Sequence, residues 1–254
     1  MEEEIIQEGE FNYLEKGEGQ TLILLHGLFG ALSNFTPLIE HFSKSYKVVI
    51  PLLPIYEIPL LKTGVKSLTQ FLVRFIDFKE YQKVNLLGNS LGGHIALMYS
   101  SMHLQKVNTL ILTGSSGLYE NAFGGSFPRR EDKKYLREKI ALTFYDPAMV
   151  TDTLVDECHE AVNNREKVLR IVAIAKSAIR HNMGKELPLI NVPTCLIWGE
   201  NDTITPPKVA VEMQEKLPKA DLFWIDKCGH APMMEHPKKF NAILDKWLKR
   251  QVGN

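Results

Sequence analysis

The sequence predicts an α/β chain built on an open, mostly parallel sheet flanked by helices, with a helical insertion between two of its strands. Three observations carry that expectation. Short, continuously apolar runs recur along the chain and most end at a glycine or proline. Stretches of helical periodicity lie between them. From about Ser115 to Leu189 no strand-like run occurs at all.

Taken in order, Leu22-Ile23-Leu24-Leu25 ends at His26-Gly27, and Val48-Val49-Ile50 ends at Pro51. Val84-Asn85-Leu86-Leu87 ends at Gly88, and Leu110-Ile111-Leu112 runs into Thr113-Gly114. Cys195-Leu196-Ile197-Trp198 ends at Gly199, and Leu222-Phe223-Trp224-Ile225 comes last. Runs of this length without polar alternation suit strands covered on both faces, as in a parallel sheet between helical layers. Leu91 to Met102 and Pro237 to Arg250 read as helices; in the second, Phe240, Ile243, Leu244, Trp247 and Leu248 recur at helical spacing. The strandless segment carries amphipathic stretches at Tyr135–Phe144, Val150–Val162 and Val168–Ile179, punctuated by Pro128, Pro147 and Pro188. The expected division is a core of residues 1–115 and 190–254, with residues 116–189 inserted as a helical cap over the strand ends. In an open sheet of this kind, ligands bind at the carboxyl ends of the strands.

Those ends carry the chemistry. Gly88-Asn89-Ser90-Leu91-Gly92-Gly93 fits G-x-S-x-G between a strand and a helix. The sharp turn lifts the serine hydroxyl into the cleft, and side chains at Gly88 and Gly92 would collide with the neighbouring strand and helix. A serine hydroxyl is a weak nucleophile and needs a base within reach. Two segments supply partners in the order serine, acid, histidine: Trp198-Gly199-Glu200-Asn201-Asp202 and Cys228-Gly229-His230, each following a strand. The N–H of Leu91, next after the serine, is a donor for an oxyanion.

Composition narrows the partners. Thirty Lys and Arg balance thirty Asp and Glu, so no charge excess points to nucleic acid or an anionic membrane. The basic pairs Arg129-Arg130 and Lys133-Lys134 are interrupted by acidic residues and read as a solvated helix face. No apolar run approaches the ~20 residues that span a bilayer, and the acidic start Met1 to Ile6 lacks the pattern of a signal peptide. Cys158, Cys195 and Cys228 are odd in number and lack metal-ligand spacing, which suits reduced thiols in a cytoplasmic protein. No phosphate loop or dinucleotide fingerprint is present. The expectation is therefore a small-molecule substrate, no metal and no cofactor, with monomer and homodimer both open.

Together, His26-Gly27-Leu28-Phe29-Gly30, the Ser90 turn, Trp198-Gly199-Glu200-Asn201-Asp202, and Gly229-His230 with Glu235-His236-Pro237 resemble the α/β-hydrolase fold superfamily over nearly the whole length. The resemblance implies a catalytic triad of Ser90, His230 and Asp202, with Asp202 rather than Glu200 as the acid. It also implies that the loop after His26-Gly27 supplies the second oxyanion donor, from Leu28 or alternatively Phe29. His26 reads as a structural brace for that loop. A serine nucleophile disfavours the dehalogenase and epoxide hydrolase branches, whose covalent ester needs a carboxylate.

Among cap-bearing members the chain resembles carboxylesterases and, most of all, meta-cleavage-product hydrolases, which cleave a C–C bond. The second likeness rests on Gly88-Asn89-Ser90, Gly114-Ser115-Ser116-Gly117-Leu118, Phe144-Tyr145-Asp146 and Lys227-Cys228-Gly229-His230. It implies that Asn34 and Asn89 are pocket residues, although Asn34 equally suits a helix cap before Phe35. Phe123, Phe127 and Phe144 are apolar candidates for the pocket or for cap packing. The family's carboxylate-binding arginine aligns with Cys158, and its tryptophans after the histidine align with Ala231 and Met234. A thiol cannot replace a bidentate cation. The sequence reading is accordingly a hydrolase of small carboxylic esters. C–C bond hydrolysis is the alternative, and a non-catalytic ligand-binding protein on the same scaffold is a third.

Overall fold

A computed structural model describes residues 4–29, 32–120 and 129–252. Eight strands form one sheet: β1 Ile6–Glu8, β2 Phe11–Lys16, β3 Gln20–Leu25, β4 Tyr46–Pro51, β5 Val84–Asn89, β6 Val107–Thr113, β7 Thr194–Gly199 and β8 Ala220–Ile225. Their spatial order is β1-β2-β4-β3-β5-β6-β7-β8. The first two pairings are antiparallel and all the others parallel.

The helices are α1 Thr36–Phe42, α2 Val65–Phe78, α3 Leu91–Met102, α4 Lys133–Ala141, α5 Asp152–Asn163, α6 Arg165–Arg180, α7 Pro207–Lys216, α8 Pro232–Glu235 and α9 Pro237–Val252. The chain is thus α/β, as expected, and among the described residues only helices and turns lie between β6 and β7.

Alternation along the buried strands explains the two helical layers. Leu22 and Leu24 of β3 pack with α1 and α9, whereas Ile23 and Leu25 pack with α2 and α3. Each run is apolar throughout because each face meets helices. The last run differs: β8 is the edge strand, and Leu222, Phe223 and Trp224 remain partly exposed. The strands β1 and β2 carry no continuous apolar run, since β2 (Phe-Asn-Tyr-Leu-Glu-Lys) mixes buried and open positions. α4 and α5 bury Leu136, Ile140 and Val155 in the same cluster as Cys195 and Trp247.

The chain leaves β3 toward one sheet edge and β5 toward the other, while β3 and β5 are themselves neighbours. That reversal opens a crevice at their carboxyl ends. The register Leu25↔Gly88 sets the loop after β3 beside the turn after β5.

Candidate active site

Ser90 sits at the β5–α3 junction with φ +55° and ψ −119°. This backbone region costs a non-glycine residue about 1–3 kcal/mol and persists only where surroundings enforce it. Here the Ser90 N–H donates to Thr113 O at 3.2 Å, and Ser90 O accepts from His94 N at 3.2 Å and Ser116 N at 3.1 Å. The glycines make room for the turn. A Cβ on Gly88 would lie 2.4 Å from Gly92 O, and one on Gly92 only 2.0 Å from Leu25 O. Both glycines are hemmed in as the motif requires, and the structure sets Gly88 against the helix and Gly92 against the strand.

Asp202 follows β7 and His230 follows β8. Asp202 is buried, and all its lone-pair directions are used. Oδ1 accepts from the N–H groups of Ile204 (2.8 Å) and Thr205 (2.9 Å). Oδ2 accepts from Thr205 Oγ1 (2.8 Å) and lies 2.9 Å from His230 Nδ1. An ionised carboxylate held this way takes the Nδ1 proton as acceptor and leaves Nε2 unprotonated in the neutral ring. Burial drives the His230 pKa down, but the charge and hydrogen bond of Asp202, with the charge of Glu120, outweigh it and leave it above 6.5.

The two loops approach closely because glycines permit it. A Cβ on Gly199 would meet Gly229 O at 2.1 Å, and one on Gly229 would meet Thr143 O at 2.5 Å. His230 N donates to Thr143 O at 2.7 Å. Glu235 fastens the same loop: its Oε1 accepts from Gly229 N at 2.6 Å, and its Oε2 from Tyr145 N at 2.8 Å.

Ser90 and His230 line one pocket, together with Leu28, Phe29 and Leu91. Among the described residues no hydrogen bond joins Ser90 Oγ to the His230 ring. The Gly27–Leu28 backbone passes close to the serine, since a Cβ on Gly27 would lie 3.3 Å from Ser90 Cβ. His26 is buried, which lowers its pKa. Its Nδ1 lies 2.9 Å from Gly27 O, and its Nε2 accepts from Leu53 N at 3.3 Å. A neutral ring satisfying both contacts fixes the Gly27–Leu28 peptide, which is the bracing expected of it.

Asn34, Asn89 and Phe144 also line the pocket. Asn34 lies in a 3-10 turn, Leu32–Phe35, and the N-cap of α1 is Phe35 without a side-chain cap. The alternative reading of Asn34 as a cap is thus corrected. The Asn89 amide donates to Thr113 O (3.0 Å) and His230 O (3.2 Å), so it ties the histidine loop to the serine turn. Phe123 and Phe127 lie outside the described residues. Cys158 lines the pocket, and burial pushes its thiol up to about 11. Cys228 is buried in the core. Among the described residues no group of three or more His, Cys, Asp or Glu could hold a metal, and no helix is long and apolar enough to cross a membrane.

Sequence reasoning missed Thr205, Glu235 as a tether, and Glu120. The spacing Asp202-x-x-Thr205, a turn-capping pattern, was a usable signal for the first. The other two depend on tertiary contacts and had none.

A sequence model of the Alpha/beta hydrolase family matches residues 22–243. An alpha/beta hydrolase enzyme from the metagenome of sediments of the Mar Chica lagoon, Morocco, is 48% identical, with TM-score 0.82 over 98% of this chain and 99% of that one. A 2-hydroxy-6-oxononadienedioate/2-hydroxy-6-oxononatrienedioate hydrolase of Cupriavidus pinatubonensis is 27% identical over 90% of this chain and 86% of its own. The meta-cleavage product hydrolase of Pseudomonas fluorescens IP01 shares the fold, with TM-score 0.83, 22% identity and 94% of each chain covered.

Proposed function

The chain belongs to the alpha/beta hydrolase family, and from that premise we propose a serine hydrolase with Ser90 as nucleophile, His230 as base and Asp202 as orienting acid. The observation that carries the reading is a strained serine sharing one pocket with a histidine whose far nitrogen is held 2.9 Å from a buried carboxylate. In this reading Oγ of Ser90 attacks an acyl carbonyl while His230 Nε2 takes its proton, and Asp202 stabilises the imidazolium. The oxyanion is met by the N–H of Leu91, at the unsatisfied start of α3, and by that of Leu28, with Phe29 as the alternative. His230 returns the proton to the leaving group. Water, deprotonated by the same ring, then releases the acyl group from Ser90. Residues 116–189 serve as a lid, contributing Phe144 and Cys158 to the pocket wall.

The bond cleaved has two readings. The relatives' names favour a C–C bond over the ester expected from the sequence. The pocket itself favours an ester: no Lys or Arg stands among its described lining residues, so no cation is offered to the carboxylates of a dienedioate. On that lining, hydrolysis of a small ester without a free carboxylate is the first reading and C–C cleavage the second. A fluorophosphonate adduct of one equivalent by intact mass, absent in Ser90→Ala, is the expected result. No adduct would leave ligand binding without turnover. Comparing kcat/KM for short-chain nitrophenyl esters and a ring-fission dienoate separates the two enzyme readings, and faster dienoate turnover would reverse their order.

A further inference from the structure

One acidic side chain lines the pocket among the described residues, and the catalytic scheme does not use it. Glu120 follows the loop after β6 and lies partly buried on the wall shared with Ser90, Ser116 and His230. The Ser116 hydroxyl donates to its Oε2. No donor meets Oε1 among the described residues. A carboxylate set in the wall of a largely apolar pocket is a ready partner for a donor or cation that enters it. Around this one, the other polar pocket groups are amides, hydroxyls, the Cys158 thiol and the His230 ring.

Resting on the hydrolase reading above, we infer that Glu120 sets the substrate specificity of this pocket. It selects acyl compounds that present an ammonium or hydroxyl group to its carboxylate, and it excludes those carrying a carboxylate there. Burial pushes the Glu120 carboxyl above its usual range, although Ser116 and His230 pull the other way. An incoming ammonium replaces the solvation that burial removed, through a charge-assisted hydrogen bond. An incoming carboxylate forces two like charges together, so one must take up a proton. Both effects act in the same direction on the ratio between matched substrates.

The test uses three butyl-length chains ending in methyl, ammonium or carboxylate, carried on the acyl side as nitrophenyl esters and on the alcohol side as butyrate esters. In at least one series the wild-type kcat/KM for the ammonium probe exceeds that for the carboxylate probe by about tenfold or more. In Glu120→Gln that ratio collapses toward one. Ser116→Ala, which frees Oε2, reduces the ratio without reversing it, and serves if Glu120→Gln unfolds. Binding of the corresponding unreactive amides to Ser90→Ala, read by calorimetry, gives the same order without turnover. Charge-ordered binding with no hydrolysis of any ester would remove the hydrolase reading and leave the role of Glu120. Hydrolysis with a ratio below about threefold in both series, a ratio unmoved by Glu120→Gln, or no binding of any amide would overturn the role.

Discussion

At the residue scale the site depends on groups that hold other groups. His230 is useful only if Nε2 is free to accept, and the acceptor at Nδ1 decides that. Replacing Asp202 by Asn puts an amide beside Nδ1 and allows the wrong tautomer, so kcat should fall by about 10⁴-fold in an ester assay. A fall below about tenfold would show that Asp202 is not the orienting acid. The pH profile follows from the same pair. Only neutral His230 accepts a proton, and its pKa is raised, so kcat/KM should drop as pH falls through a value above 6.5. Residual activity of Asp202→Asn should carry that limb to lower pH, because the charge and hydrogen bond that raise the pKa are gone. A limb that stays in place would assign it to another group. Steric control is as local: Gly92→Ala places a methyl 2.0 Å from Leu25 O, inside the helix–strand contact. It should cost about 3 kcal/mol or more in denaturant unfolding. The glycines, Ser90 and His230 were legible in the sequence because each follows an apolar run, whereas the choice of Asp202 over Glu200 in the same loop came from the family resemblance. Glu120 and Glu235 were not, since nothing near them in sequence says which backbone or hydroxyl they will meet.

At the scale of elements, strands buried on both faces were legible because continuous apolar runs have few other uses. β1 and β2 were not, because antiparallel edge pairing tolerates polar positions such as Asn12 and Glu15. The link between the β8 loop and the inserted helices also escaped the sequence, and it is carried by one side chain. Glu235 is not among the described residues that line the pocket, yet its two oxygens clamp Gly229 and Tyr145. Glu235→Ala should therefore let the His230 loop drift from Asp202 and lower kcat more than tenfold, with KM shifted less than threefold. Glu235→Gln, which keeps one acceptor, should recover part of the loss. Equal losses in both variants, or a change confined to KM, would deny it a positioning role.

At the scale of the whole molecule, the question is whether the inserted helices form a separate body. Their apolar side chains argue otherwise. Leu136, Ile140 and Val155 bury in one cluster with Cys195 of β7 and Trp247 of α9, while Ile174 of α6 joins the opposite cluster with Leu86 and Trp198. Among the described residues the insertion therefore contributes to both layers and shows no separate apolar cluster of its own. Chains that share a core unfold together, whereas a docked body can leave first. The three tryptophans, Trp198, Trp224 and Trp247, all lie outside the insertion, so their fluorescence reports the sheet and α9. Far-ultraviolet circular dichroism is weighted toward helices, including α4, α5 and α6. In urea the two signals should give the same midpoint and slope. A dichroism transition that precedes the fluorescence change would mean that the insertion melts alone. The loops it braces through Thr143, Tyr145 and Asp146 would then lose their order before the sheet does.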